Sequence, residues 1–475
     1  MISKVLFIEP PKDYWFLMGE YLPPPTGLLV LAAYLERELP DLEIEVVDCQ
    51  AERKSWDYVQ KRIESFSPSI VATSAFTCNA YVCARVAEIA KKVNDEIVTV
   101  VGGQHFTATV HESLTDFPEI DYIVRGEGEL TFIELIKTLN ENGDIGKVRG
   151  LSFRDNGKIV DAPNRNLIEN LDSLPYPAYH LVENNIRKYH FTMMAGKNKP
   201  YVILEGSRGC DRKCTFCTQW RHWNGVWRTK SSKRIADEME FLHRRFGGEF
   251  LWLTDDNFEY RKRGTGLWEE LKNRDFTDDI EWFFQARTDD IVRNPDLVGK
   301  MQNVGNNWIL VGVENDSQET LKYFKKGILA SESGKAMRIL RDNNVFAQAM
   351  MIIGTRKDTA ESIKRLRQFS FDIESDLNIY ACLTPLPGTG IYEEAKRNGW
   401  IEDTHYANYD MAHAIMPTQT LTRREVQEEL FNCYREFYGS AIRNIRGIFS
   451  KNEIKRRTYR HMAGMKVLDT LRSLI

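Results

Sequence analysis

Nowhere in the 475 residues is there an uncharged apolar run long enough to cross a bilayer as a helix. The opening Met1-Ile-Ser-Lys-Val-Leu-Phe-Ile8 lacks the plan of a secretory leader and runs straight into a strand pattern. These absences predict a cytoplasmic chain without a membrane span. Internal repeats and low-complexity tracts are missing too, which excludes a repeat architecture. There is no strong overall charge bias, since 64 Lys and Arg stand against 68 Asp and Glu, and no nucleic-acid partner is expected. Cysteine is sparse, with eight at 49, 78, 83, 210, 214, 217, 382 and 433, and a disulfide framework is not expected in a cytosolic chain of this size. What remains is an ordinary globular composition, 42% hydrophobic and 28% charged, with length for two or three cores.

Short apolar runs at 5–8, 43–47, 70–73, 97–101 and 122–124 read as strands, separated by helical patterns at 26–38, 56–66, 79–93, 108–115 and 129–142. Five such units predict a doubly wound, Rossmann-like parallel sheet over 1–145. A connector, 146–199, carries an Asn156-Gly157 hairpin signature and the proline-rich Leu174-Pro-Tyr-Pro-Ala178, and is expected to strap two domains together. Alternation resumes over 200–390, with strands near 201–204, 250–253, 281–286, 308–313, 346–352 and 377–382, which predicts a partial (β/α)6 barrel whose site lies at the carboxyl ends of the strands. The remainder, 391–475, is mostly helical pattern. Its stretch from Arg435 to Arg472 holds ten Lys or Arg against Glu436, Glu453 and Asp469, and reads as a solvated helical face or as a dock for an acidic partner or a cofactor phosphate.

Three cysteines share the loop after the first barrel strand: Cys210, Cys214 and Cys217, in a CxxxCxxC run with Phe216 before the last. Three thiolates can hold a cubane iron–sulfur cluster by three corners and leave the fourth iron open to a ligand. The rival is a zinc site completed by His222. The motif and its place resemble the radical S-adenosylmethionine superfamily. That resemblance implies a [4Fe–4S] cluster on the three cysteines, S-adenosylmethionine chelated to the open iron, reductive cleavage to a 5′-deoxyadenosyl radical, anaerobic chemistry and an external low-potential electron donor. It also implies cofactor contacts at strand ends, at Asp255, Gln285, Arg287 and Glu314. Asp255 and Asp256 could instead cap the next helix, and Arg287 could pair with Asp289 on the surface. Thr384-Pro-Leu-Pro-Gly-Thr389 resembles the family's late PxPGT segment, while Met350 and Met351 are expected to fill core.

In the first domain the strand-end loops are Ser74-Ala-Phe-Thr77, Gly102-Gly-Gln-His105 and Arg125-Gly-Glu-Gly-Glu129. Glycine turns leading into helices suit a nucleotide or a bulky cofactor. With the barrel attached, a PPxGLxxLAAYLE helix from Pro24 to Glu36, a VGGxH turn and a GEGE turn resemble the cobalamin-binding class of radical S-adenosylmethionine enzymes. The implied cobalamin contacts are Ser74, Thr77, Gly102, Gly103, Gln104, His105, Gly126, Glu127, Gly128 and Glu129. The Asp-x-His-x-x-Gly motif of other cobalamin proteins is absent, since the loop after strand one reads Pro10-Pro-Lys-Asp-Tyr-Trp15. Cobalamin is therefore expected base-off without a histidine ligand, its lower face bare, watered or near the loop from Phe76 to Tyr81. His105 suits a hydrogen bond to the corrin edge better than a cobalt bond. Weak lower ligation should favour homolytic release of a methyl group.

The resemblance implies a C-methyltransferase: hydrogen abstraction from an unactivated carbon, then methyl transfer from methylcobalamin, which a second S-adenosylmethionine regenerates. The segment 409–438 resembles anaerobic magnesium-protoporphyrin monomethyl ester cyclases and their methyltransferase relatives, among them the enzyme that methylates a glutamine α-carbon in methyl-coenzyme M reductase. A protein or peptide substrate, that glutamine, is the leading expectation, because it gives the basic tail an object. A cyclase-type reaction is the alternative, and a non-catalytic cobalamin sensor with a structural cluster is a further class.

Overall fold

The computed structural model describes residues 1–12, 21–196 and 199–472, with side chains as far as 465. Asp13 to Trp15, part of the loop where the histidine motif is missing, lie outside the described residues.

Five parallel strands open the chain: β1 (Lys4–Glu9), β2 (Glu43–Asp48), β3 (Ile70–Ser74), β4 (Val98–Gly102) and β5 (Tyr122–Val124). Their centres are apolar and buried, as expected of strands covered by helices on both faces. Residues 151–155 and 158–161 form the expected hairpin, β6 and β7, which pairs antiparallel onto β5. Part of the connector thus completes the first sheet, in the order β2-β1-β3-β4-β5-β6-β7. The helices Thr26–Glu38 and Trp56–Phe66 match their periodicity. The pattern at 108–115 does not stand alone. Helix begins at Gly103, directly off β4, and is broken into Gly103–Ala108 and Val110–Asp116. Gly103 makes that abrupt turn at φ +90°, a conformation side chains other than glycine's rarely adopt.

Six parallel strands follow: β8 (Tyr201–Leu204), β9 (Phe250–Leu253), β10 (Glu281–Arg287), β11 (Asn306–Glu314), β12 (Phe346–Ile353) and β13 (Leu377–Cys382). They pair in sequence order, and β8 does not pair with β13, so the barrel is open. Alternate residues share a face, which puts Phe283, Gln285 and Arg287 of β10 on one side. Trp308 stacks on Phe283 at 3.8 Å, and Phe191 meets Trp308 edge-on at 5.3 Å. Phe191 belongs to a two-residue ribbon, His190–Phe191 with Tyr21–Leu22, that ties the connector to the first domain's loop. Met351 is fully buried and Met350 half-buried, both in or against the core.

Both free borders of the barrel are capped by phenols. A hydroxyl donates and accepts, so one can satisfy both backbone groups of an edge residue. Tyr179 Oη donates to the Ile203 carbonyl at 2.7 Å and accepts from its N–H at 2.9 Å on β8. On β13, Tyr434 does the same for Tyr380 at 2.8 and 3.1 Å, and Tyr438 for Asn378. Tyr434 and Tyr438 lie four apart on the helix Arg423–Gly439, hence on one face.

Neither reading of the basic tail holds for its inner residues. Arg443 donates to the Ser375 carbonyl, Lys455 pairs with Asp376 at 2.6 Å and Arg457 with Glu281 at 2.8 Å, all near the amino ends of barrel strands. These cations close the end of the barrel opposite the cysteine loop.

Candidate active site at the domain interface

The carboxyl ends of β3, β4 and β5 face the first loops of the barrel across a cavity of about 320 Å³. Ser74, Gly102, Gly103, Gln104, Gly126, Glu127, Gly128 and Glu129 line it from the first domain, and Glu205, Arg208, His222, Trp223 and Thr254 from the barrel. Its inner recess is apolar, walled by Phe7, Leu28, Leu31, Val100 and Phe132. A Cβ on Gly103 would stand 2.6 Å from Ser74 Oγ and 2.7 Å from the Ala75 carbonyl, so backbone alone forms this part of the wall. Bare glycine backbone beside an apolar recess fits a large, partly flat cofactor with an organic tail.

Two of the residues expected to touch the corrin lie outside that wall. Thr77 is buried within a short turn, and His105 is 1% exposed, edge-on to Phe106 at 5.3 Å and Tyr406 at 4.8 Å. Burial lowers the His105 pKa to about 4, and its Nδ1 has no hydrogen-bond partner. Among the described lining residues the single imidazole is His222, also lowered to about 4, by burial and then by Arg208. His222 lines the cavity, and among the described residues no group of three or more His, Cys, Asp or Glu, the loop cysteines included, is drawn together for a metal ion.

Glu127 and Glu129 line the cavity, yet their carboxylates are taken by Arg208. Arg208 stands two residues before Cys210. Gln104 also reaches the cysteine loop, donating from Nε2 to Gln219 Oε1 at 2.6 Å and accepting from Thr218 Oγ1 at 3.1 Å. Arg208 and Gln219 escape a reading of local spacing, because Glu127, Glu129 and Gln104 lie some eighty residues or more away in sequence.

The cysteine loop leaves β8 through Gly209, whose φ of +87° and close approach to Val226 admit no side chain. Cys214 is 6% exposed, and Cys210 and Cys217 are half-buried. Burial raises all three thiols, Cys210 to about 11 and Cys217 to about 12, and each is raised further by charge on its neighbours. Three soft donors in one loop suit the chemistry of a three-corner cluster site, and iron would displace their protons. Lys326 and Arg287 oppose the rise at Cys214.

The strand-end residues divide. Glu314 lies at a β-bulge with φ +64°, 2.5 Å from Lys326 Nζ, and its charge is felt at Cys214. Arg287 does pair with Asp289, at 2.9 Å, but both are buried. Gln285, half-buried, shares its face. Asp255 faces inward instead, accepting from the Gly206 and Ser207 amides at 2.9 and 2.8 Å and pairing with Arg263. Asp256 accepts from the Gly209 amide at 3.2 Å, and Glu259 caps the helical turn that follows. Phe216 packs edge-on against Phe324 at 4.9 Å.

The B12 binding domain family matches residues 19–136, and the radical SAM superfamily matches residues 204–370. An uncharacterized methyltransferase of Pyrococcus horikoshii is 30% identical over 440 residues, 92% of this chain and 93% of that protein. The anaerobic magnesium-protoporphyrin IX monomethyl ester cyclase of Rubrivivax gelatinosus is 30% identical over 444 residues, 92% of this chain and 77% of the cyclase. The fold is that of the radical S-adenosylmethionine methyltransferase TsrM from Kitasatospora setae, solved with cobalamin and a [4Fe–4S] cluster bound, at a TM-score of 0.74 and 15% identity over 99% of this chain and 100% of that one.

Proposed function

Since the chain belongs to the cobalamin-dependent radical S-adenosylmethionine methyltransferase family, with a [4Fe–4S] cluster, S-adenosylmethionine and cobalamin as its cofactors, we propose that it methylates an unactivated carbon held between its two domains. One observation carries this reading: the glycine turn of the first sheet lines one cavity together with Arg208, His222 and Trp223 on either side of the three cysteines, and Gln104 bonds Gln219 of the same barrel segment. When bound, the cluster with S-adenosylmethionine supplies hydrogen abstraction and the corrin supplies the methyl group.

The chain's own part is to bind and orient. Cys210, Cys214 and Cys217 would ligate three irons, with Phe216 braced on Phe324 behind them. Arg287, Glu314 and Gln285 would meet the charged end of S-adenosylmethionine. Asp255 would act at one remove, by fixing the Gly206–Ser207 turn from which the cysteine loop springs. Ser74, Gly102, Gly103 and Gln104 would meet the corrin edge, and the apolar recess would take the displaced nucleotide base. The organisation we infer is a corrin domain at 1–145, a connector at 146–199 whose hairpin 151–161 extends the corrin domain's sheet, the barrel at 200–390 and a helical domain at 391–475, in the cytoplasm. Among the described residues no helix is long and apolar enough to cross a membrane.

For the substrate, a protein glutamine α-carbon of methyl-coenzyme M reductase is the specific proposal, resting on the resemblance of 409–438. The charge of the tail does not support it, because Arg443, Lys455 and Arg457 are bonded to the barrel. A cyclase-type reaction is the second reading, favoured by 30% identity to a cyclase over 92% of the chain. Anaerobic incubation of reconstituted protein with candidate peptides or porphyrin esters and methyl-labelled S-adenosylmethionine separates them. A product one methylene heavier that carries the label supports methylation, and an unlabelled ring-closed product supports the cyclase. The Cys214→Ala variant should lose iron and adenosyl cleavage, and retention of both would sink the scheme.

A further inference from the structure

Arg208 is 4% exposed, and each nitrogen of its guanidinium meets a different carboxylate. Nη1 donates to Glu127 at 2.7 Å, Nη2 to Glu129 at 2.6 Å and Nε to Glu205 at 2.8 Å. Glu127 and Glu129 belong to the turn after β5, while Arg208 and Glu205 belong to the segment that runs into Cys210. Ser207–Arg208 pairs antiparallel with Arg228–Thr229, and Arg228 binds Glu127 again from that second strand, at 2.9 Å. The Trp223 ring lies 5.6 Å from the Arg208 guanidinium and 5.5 Å from that of Arg228. Glu127 is thereby held between two arginines.

A buried cluster of charges is weak evidence for stability, because well-packed apolar groups commonly do as well or better. What it supplies is geometry. A planar fork bonded on three sides fixes direction as well as distance, which a lysine ammonium cannot do. The wall of the cavity and the foot of the cysteine loop therefore cannot slide past one another while Arg208 is in place. Gln104 and its two partners are a second link between the domains at this interface, and they carry no charge.

We propose that Arg208 is a positioning residue that holds the corrin-binding turn 126–129 and the cluster loop at one fixed separation. The inference rests on the cofactor reading given above. It is tested on the full-length protein loaded with cob(II)alamin and with the cluster reduced by an added low-potential reductant to its paramagnetic [4Fe–4S]+ state, in which pulsed electron paramagnetic resonance reads the separation of the two paramagnetic centres. Arg208→Gln should keep its iron, since the three thiols are untouched. It should release cobalamin about tenfold faster, the effect of one lost contact of moderate strength, and replace a single separation with a broad distribution. Arg208→Lys should restore retention in part and leave the distribution broad, whereas loss of a merely structural charge would be rescued in full. If Arg208→Gln does not fold, Arg208→Lys and Glu129→Gln decide. A narrow, wild-type separation in the folded variants overturns the proposal. Amide exchange on the full-length apoprotein separates its failure from that of the cofactor reading: Arg208→Gln should speed exchange at 126–129 and 205–210 and leave β1 unchanged, whether or not cobalamin is bound. Unchanged exchange at those segments would overturn the proposal by itself.

Discussion

His105 sits against the edges of Phe106 and Tyr406, and burial keeps its imidazole neutral down to a pKa of about 4. The unfolded chain, with an ordinary histidine near 6.5, takes up the proton first as pH falls. Stability is therefore lost between about pH 6.5 and 4, by something on the order of 3 kcal/mol, and levels off below. Urea midpoints of the apoprotein at several pH values should show this slope, and His105→Gln should show a shallower one, His222 with its similarly lowered pKa supplying the rest; an equal slope in the variant would refute the assignment. Gly103 makes a sharper point. Alanine there would need φ near +90° and would press on Ser74 Oγ and the Ala75 carbonyl. We expect a loss of about 1–3 kcal/mol from strain, with less cobalamin retained through gel filtration than in wild type. At this scale the sequence was legible wherever local spacing suffices, as in placing Cys210, Cys214 and Cys217 together in the loop after β8. It was silent on Arg208 and Gln219, and it gave no sign that Glu127 and Glu129 answer to an arginine rather than to a ligand, since such pairings depend on where distant turns meet.

Strands and helices were read best where the pattern is long and amphipathic. The helix Thr26–Glu38 and all six barrel strands lie where periodicity put them. The break at Thr109 and the ribbon between Tyr21–Leu22 and His190–Phe191 were missed, the first because one glycine starts a helix early, the second because two residues make no periodicity. The phenol caps were equally hidden, since Tyr434 and Tyr438 look like ordinary helix-face aromatics. Their role predicts that Tyr434→Phe costs about 1–3 kcal/mol by leaving edge groups of β13 unsatisfied. Tyr438→Phe should cost a similar amount, with faster amide exchange at Asn378; in Tyr434→Phe the faster amide is Tyr380. Wild-type exchange at either amide in its variant would show that water replaces the hydroxyl without cost.

Across the whole molecule, one buried apolar cluster takes in Phe7 and Leu29 of the first domain, Phe191 of the connector, Trp308 of the barrel and Phe437 of the final helices. A shared core makes these parts unfold together, so heating should give one transition, shifted upward when cobalamin is added in excess of its dissociation constant. Two separated transitions, only the first responding to cobalamin, would contradict this. Composition could announce domains but not their common interior, because each strand pattern is blind to what covers it.

Hydroxyl groups finish the first and last barrel strands where a sixth backbone ladder could have run. Prising that seam apart breaks no strand-to-strand pairing and is resisted by side-chain packing alone. The width of the slit is thus governed from outside the barrel, by the connector on one flank and the final helices on the other.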